Sequence, residues 1–580
     1  MNEQVQIWSR WLVVTALLVA KCLAFDALIA RPDALSWQLT DWLAATAAAA
    51  LLALLAVSSS RRGMAAAVLV LTDIWMVVNI LYFRAYRLFI TWHLLSVAGN
   101  LSGFEDSILP YCDWSLGLFP LLSLPALICL AWPARRARWT DAIAIFLLVI
   151  ACSAGASYTR WRNVRAYLQD HSFSWEWLNP CSLPQALSAD ISERERQAGK
   201  YIHYHSILAY PLFMATDALT HRPNSENIVL SDEEQAELNR LLRPAEPAGE
   251  PQGNLLIVLL ESFESWLMQA RDAQGELVCP QLNRYIATHE LCYIEDVSTQ
   301  IQYGMSGDGQ LLVNTGLFPT LEGIACVDYG YNTYPNVAHF YPQSVIVNPC
   351  RNVWNQHVVT ASYGYRQLIE PKSENRFEWN DSIVVEKIIE TFESMPTPCC
   401  VMGITVSGHL PFTQSQDPIP MADTIPALFC QYMRTAHFTD RQIGRLLAWA
   451  DTAQVMRHST IAITGDHRIF HAWGNEEIRD FGLRAHLPFG TGQAGCPLIV
   501  MGPRVPAIHA QQAQQIDIFP TLLEAIGQEN YFWQGMGRSC LHPQSEVTSN
   551  RYFLHRQLSD KLIRMDYFAP YSDFCKKNAK

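Results

Sequence analysis

Five apolar stretches occupy most of the first 160 residues, at 11–30, 42–59, 64–83, 114–132 and 140–158. Each holds about 17 to 20 residues, enough to cross a hydrocarbon core as a helix. The first has no small-residue cleavage site and further spans follow it, so it reads as a span and not as a cleaved leader. The stretch 85–104 is aromatic and apolar but broken by Arg, His and Asn, the pattern of an interfacial helix on the outer surface. Past residue 250 the texture changes. Continuous apolar runs at Asn254–Leu260, Cys400–Val406, Thr460–Thr464 and Pro497–Met501 have the length and pattern of strands buried on both faces. Helical patterns at 383–393 and 435–450 lie between them. Alternating buried strands and helices predict an α/β sandwich with a mainly parallel sheet. Between the two textures, Trp161, Trp175 and Trp177 mark a segment hugging the membrane surface, and Pro244, Pro247 and Pro251 close it. The expected organisation is a five-helix transmembrane domain (1–158), a membrane-surface linker region (159–250) and an exported α/β domain (251–580).

Composition agrees with a chain partly in lipid. Hydrophobic residues make up 50% and charged residues 17%, against about 25% charged in soluble domains. The formal net charge of −12 argues against a nucleic-acid partner, which needs a basic surface. Residues 1–158 carry ten Lys/Arg and nine Asp/Glu, whereas 159–580 carry 32 and 45. Arg10, Arg61, Arg62, Arg135, Arg136 and Arg138 fall on one side of the expected spans, and Arg31, Arg84 and Arg87 on the other. The basic excess places the N-terminus in the cytoplasm and everything after residue 158 outside a bacterial cytoplasmic membrane. Lys21 and Asp26 read as snorkelling near a helix end, and Asp73 as a helix–helix contact. Eleven of the 15 Cys follow residue 158, where an oxidising compartment permits pairs such as Cys279 with Cys292 or Cys326 with Cys350.

In a parallel sheet, ligands bind at the carboxyl ends of the strands. There the chain places Glu261, then Ser407-Gly408-His409, then Gly465-Asp466-His467. A Glu, an Asp and a His on one sheet edge form a mixed oxygen and nitrogen set suited to Mn²⁺, Mg²⁺ or Zn²⁺. Taken singly, each residue would as readily be a turn or cap. Gly304-Met305-Ser306-Gly307-Asp308-Gly309 precedes a helical pattern at 310–317. Glycines around the Ser let backbone and substrate approach closely. A helix start favours an anion such as phosphate, and a metal would activate the hydroxyl as a nucleophile. An ordinary N-cap serine is the plainer alternative.

Taken in order, the apolar spans, Glu261, Gly-x-Ser306, His409-x-Pro-Phe412 and Gly-Asp466-His467 resemble the lipoteichoic acid synthase family, membrane phosphoglycerol transferases of the alkaline phosphatase and sulfatase superfamily. Tyr432–Leu447 and Gln515–Gly527 look like that family's later segments, so the resemblance runs over nearly the whole chain. It implies that Glu261, Ser306, Asp466 and His467 hold one divalent metal, Mn²⁺ or Mg²⁺, and that Ser306 is the nucleophile where the family has Thr. His409 would contact the phosphoryl group or protonate the leaving oxygen, and Trp354 would line the head-group pocket. Two positions depart from the pattern: Asn348 stands where the family has His, and Gln356 where it has Arg, with Arg351 nearby as a substitute cation. The implied reaction moves a phospho-head-group from a membrane phospholipid to an envelope glycan or glycolipid, with phosphoethanolamine as the alternative group. Hydrolysis of a phosphoester and non-catalytic head-group binding are the remaining readings. Ser306 lies outside any C/S-x-P-x-R sequence, so sulfatase chemistry is disfavoured. His471 is placed as a structural residue in preference to a second-metal ligand.

Overall fold

The computed structural model describes residues 3–29, 39–58, 62–86, 89–92, 95, 111–131, 139–168, 201–202, 205–220, 228–244, 249–302, 304–321, 323–371, 380–410, 412, 415–468, 481–486, 495–542 and 549–572. They belong to two compact units, one of Met1–Ser96 with Phe104–Arg222 and one built on Pro223–Lys580.

The first unit is helical. Its elements are α1 (Glu3–Leu28), α2 (Leu39–Ser58), α3 (Arg62–Tyr86), α4 (Leu118–Ala131), α5 (Trp139–Leu168) and α6 (Tyr210–Thr220). Segments Trp8–Leu28, Leu39–Val57 and Ala66–Arg84 are long and apolar enough to cross a membrane. The apolar parts around α4 and α5, Trp114–Leu130 and Ile143–Thr159, are shorter. Among the described residues, therefore, three of the five expected spans reach spanning length. Large apolar side chains such as Leu55, Leu71 and Ile128 point outward, as lipid contact requires and water would penalise. The buried face of α2 is Ala45, Ala49 and Ala53, small enough for α1 to approach closely. Lys21 does not snorkel: it is fully enclosed, its Nζ 2.5 Å from Asp73 Oδ1, while Ser123 Oγ donates to Asp73 Oδ2 at 2.7 Å. This triad joins α1, α3 and α4. The expected interfacial helix at 85–104, and Trp175 and Trp177, lie largely or wholly outside the described residues.

The second unit carries α7 (Asp232–Leu241), β1 (Leu255–Leu260), α8 (Pro280–Thr288), β2 (Cys292–Ser298), α9 (Met305–Thr315), β3 (Gln343–Val347), α10 (Gln356–Ser362), β4 (Gln367–Ile369), α11 (Asp381–Ser394), β5 (Cys399–Ile404), α12 (Ala427–Thr452), β6 (Thr460–Gly465), β7 (Cys496–Met501), β8 (Ile508–Gln514), α13 (Ile518–Ala525) and α14 (Ser549–Arg564). The eight strands form one sheet in the order β4-β3-β5-β1-β6-β7-β2-β8. Strand β1 shows why the run LLIVLL carries no polar residue. Leu255, Ile257 and Leu259 pack into one core with Leu311 of α9, Leu522 of α13 and Leu562 of α14. Leu256, Val258 and Leu260 pack into the opposite core with Leu282 of α8, Ile388 of α11 and Ile443 of α12. Full burial of each such side chain contributes about 2 kcal/mol gross.

The sheet is mixed, which corrects the expectation of a mainly parallel one. Strand β7 runs antiparallel to both neighbours, β6 and β2. The apolar run CPLIVM is buried on both faces, and that pattern is the same read in either direction. The chain leaves β6 at one edge of the sheet and re-enters β7 at that same edge. The four cysteines considered for pairing are free thiols. Cys292 points at the carbonyl of Cys540, and Cys326 packs where a Cβ on Gly307 would fall.

Candidate active site

Adjacent parallel strands bring the central residues together. In the β1–β6 pairing Leu260 stands opposite Gly465, so the next residues, Glu261 and Asp466, leave the sheet side by side. Ligand atoms of Glu261, Asp466 and His467 all lie within 4.8 Å of one another. Strand β5 lies on the other side of β1, and its continuation delivers His409. A Cβ on Gly408 would sit 2.0 Å from the carbonyl oxygen of Glu261, so only glycine lets this loop pass.

Helix α9 brings Ser306 to the same point. Ser306 Oγ lies 3.2 Å from Glu261 Oε2 and 3.1 Å from His467 Nε2. Two glycines make this possible. A Cβ on Gly309 would fall 2.5 Å from the Asp466 carbonyl oxygen, and one on Gly307 would fall 2.7 Å from Cys326 Sγ and 3.3 Å from Trp354 Cβ. Asp308 fixes the loop ahead of the helix: its Oδ2 accepts from the N–H groups of Gln302 and Gly304 at 2.8 and 2.9 Å. Met305, between Gly304 and Ser306, has φ of +42°.

The electrostatics follow from burial. Asp466 is completely enclosed, and burial together with the Glu261 carboxylate raises its pKa. Burial opposes the His467 imidazolium, but Asp466 and Glu261 outweigh it and raise its pKa. Burial holds the His409 imidazole below its ordinary value. Its Nδ1 is 2.8 Å from the Leu410 carbonyl oxygen, to which an Nδ1–H donates.

The remaining expected residues divide. Trp354 packs against Gly307 with left-handed backbone, φ +51°. Asn348 and Gln356 are buried and bonded to each other: Asn348 Nδ2 donates to Gln356 Oε1 at 2.9 Å. Asn348 Oδ1 also accepts from Cys350 N, and Gln356 Nε2 reaches Thr360 Oγ1. These two amides satisfy each other. Arg351 is exposed, and among the described residues no hydrogen bond or ion pair joins it to the Ser306 group. His471 lies outside the described residues.

Two family models match the chain, the lipoteichoic acid synthase N-terminal domain over residues 1–178 and the sulfatase model over residues 326–528. One falls in each unit, in chain order, and residues 179–325 lie between them. Over the two matched segments the chain is similar to the lipoteichoic acid synthases and the wider sulfatase group. Lipoteichoic acid synthase 1 of Bacillus subtilis (strain 168) is 22% identical over 476 residues, covering 78% of this chain and 72% of that protein. Lipoteichoic acid synthase of Staphylococcus aureus (strain NCTC 8325 / PS 47) is 21% identical over 488 residues, covering 79% and 72%. The integral membrane lipooligosaccharide phosphoethanolamine transferase A of Neisseria meningitidis shares the fold, with a TM-score of 0.52, 11% identity and coverage of 89% of this chain and 96% of that one.

The donors fit a divalent cation. Asp466 Oδ2 is buried and has no hydrogen-bond partner among the described residues, a costly state unless an ion meets it. His467 directs Nδ1 at the Arg468 carbonyl oxygen, 2.9 Å away, which leaves Nε2 as the ligand nitrogen. Sequence reasoning missed three supporting residues. Ser262 bonds Glu261 and Asp466, Asp308 holds the serine loop, and Asp381 accepts from the N–H groups of Val406 and Ser407 ahead of His409. All three act through contacts between segments distant in sequence or through backbone geometry, which no local motif announces.

Proposed function

We propose that this chain transfers a phospho-head-group, phosphoglycerol first, from a membrane phospholipid to an envelope glycan or glycolipid through a covalent Ser306 intermediate. The observation that carries the reading is the placement of Ser306 Oγ, 3.1 Å from His467 Nε2 and 3.2 Å from Glu261 Oε2, beside the orphaned Asp466 oxygen. A serine that only capped a helix would not meet two metal-type donors. A divalent ion, Mn²⁺ or Mg²⁺, held by Glu261, Asp466 and His467 supplies Lewis-acid stabilisation of the serine oxygen and of phosphoryl charge.

In the first half-reaction Ser306 Oγ attacks the head-group phosphorus. The Oγ–P bond forms, the bond from phosphorus to the diacylglycerol oxygen breaks, and the proton given up by the serine hydroxyl ends on that oxygen. In the second, an acceptor hydroxyl displaces Ser306 Oγ, which recovers its proton. His409 sits close enough for Asp466 and His467 to act on it electrostatically, and is assigned the relay of that proton, its neutral Nε2 accepting it before giving it to the leaving oxygen. Three helices are apolar and long enough to span a membrane; on this reading they anchor the chain in the bilayer that holds its lipid donor, and the excess of basic residues on one side of the spans puts the sheet unit outside the cytoplasmic membrane.

Phosphoethanolamine is the second reading for the group transferred. The Asn348–Gln356 pair is neutral and self-satisfied, so it sets no cation against the ammonium of an ethanolamine head group.

The test offers phosphatidylglycerol and phosphatidylethanolamine separately to the purified full-length protein in detergent with Mn²⁺. Diacylglycerol from one lipid, with a matching mass adduct on the Ser306 peptide that is absent in Ser306→Ala, names the donor. Release that persists in Ser306→Ala would sink the covalent mechanism.

A further inference from the structure

Ser262 has three polar groups: two bond the site's carboxylates and the third is anchored on Tyr432. Its side chain is completely buried. Its Oγ donates to Glu261 Oε1 at 2.7 Å, and its N–H donates to Asp466 Oδ1 at 2.8 Å. Its carbonyl oxygen accepts from the hydroxyl of Tyr432, which itself accepts from Glu264 N at 3.0 Å. The residue adopts φ of +53°, a left-handed conformation that glycine enters freely and serine does not. A strained serine is retained where its hydroxyl has work that glycine cannot do.

We infer that Ser262 is the positioning residue of the metal centre, bracketing both carboxylates so that each turns one oxygen toward the point where Ser306 and His467 meet. On Asp466, Oδ1 already accepts from the N–H groups of Ser262 and His467, at 2.8 and 2.7 Å. Only Oδ2 is left: it accepts no hydrogen bond among the described residues and lies 3.6 Å from His467 Nε2. On Glu261, the Ser262 hydroxyl takes Oε1, and Oε2 faces Ser306 Oγ at 3.2 Å. The bracket fixes the rotation of both carboxylates before an ion arrives. It also disfavours two-oxygen chelation by either carboxylate, the mode that suits the larger Ca²⁺ with its six to eight oxygen ligands. Partners of this kind commonly set metal affinity by about 10- to 100-fold.

The inference rests on the reading of this site as a metal centre. The test is a Mn²⁺ titration of the full-length protein in detergent, following free Mn²⁺ by electron paramagnetic resonance, for wild type, Ser262→Ala and Ser262→Gly. Both variants are expected to bind Mn²⁺ about 10- to 100-fold more weakly. Ser262→Gly keeps the main-chain N–H and relieves the backbone, so its thermal unfolding in EDTA is expected at or above the wild-type temperature. It therefore carries the test even if Ser262→Ala folds poorly. Added Ca²⁺ is expected to displace Mn²⁺ less well from wild type than from Ser262→Gly. Affinity within twofold of wild type in Ser262→Gly overturns the positioning role alone. A wild-type protein that binds no Mn²⁺ overturns the metal-centre reading beneath it.

Discussion

Ser306 and His467 are 161 residues apart in sequence, yet Ser306 Oγ sits 3.1 Å from His467 Nε2. Neither side chain makes this contact alone: β6 delivers the histidine and the start of α9 delivers the serine. If the serine is the nucleophile, a threonine hydroxyl in its place keeps the reacting oxygen. We expect Ser306→Thr to retain the covalent adduct and Ser306→Ala to lose it, read by mass spectrometry of the peptide. Folding of Ser306→Ala should be unaffected, since the hydroxyl is a small part of a well-packed helix.

The packing of α9 on the main chain of Asp466 is a sharper probe. A Cβ on Gly309 would fall 2.5 Å from a backbone oxygen that has no freedom to rotate away. Gly309→Ala should push the helix off the sheet edge and cost about 1 to 3 kcal/mol. Adduct formation should fall more than stability does, because the displaced helix carries Ser306. Parallel measurement of thermal unfolding and of the donor half-reaction checks the two effects.

Asp440 supplies a pH dependence. It caps the start of α8, accepting from Gln281 N and Leu282 N at 2.8 Å each. Burial lifts its pKa to about 6, the two N–H bonds notwithstanding. A raised folded-state pKa in an acid means that folding takes up a proton between the unfolded value and the folded one. Stability should therefore rise as the pH falls from about 6 toward about 4, by up to about 3 kcal/mol from this group, and the group adds no slope above pH 6. Asp440→Asn should remove that increment. The slope of melting temperature against pH, wild type minus variant, measures it; an identical slope in both proteins would refute the assignment.

In the helical unit, Lys21 and Asp73 form an enclosed ion pair. Removing one partner leaves a buried charge, so Lys21→Met alone should destabilise by about 3 to 5 kcal/mol. The double variant Lys21→Met with Asp73→Leu should recover most of that loss. Unfolding in detergent, arranged as a double-mutant cycle, reads the coupling.

Much of this protein could be read from one strand of text. The continuous apolar runs marked β1, β5, β6 and β7, because strands covered on both faces tolerate no polar position. That the residues just past those runs, Glu261, His409, Asp466 and His467, come to one edge was legible because parallel strands end together. The spans at α1, α2 and α3 were legible by length and hydropathy alone.

Other features depend on contacts that no local pattern encodes. The direction of β7 was hidden because a run buried on both faces reads alike forwards and backwards. Asn348 and Gln356 were expected as substrate contacts, and the sequence did not show that they are bonded to each other, since only the fold shows which way an amide turns. Lys21 looked like a helix-end residue until α3 and α4 supplied Asp73 and Ser123. Ser262 stood next to Glu261 in plain view, but its role arises from a backbone angle and from a carboxylate 204 residues away. Composition and periodicity thus determined which segments are strands or spans and which side chains meet at the sheet edge. Tertiary structure decided strand direction, hydrogen-bond partners and the orientation of each donor, because these depend on distances between segments far apart in the chain.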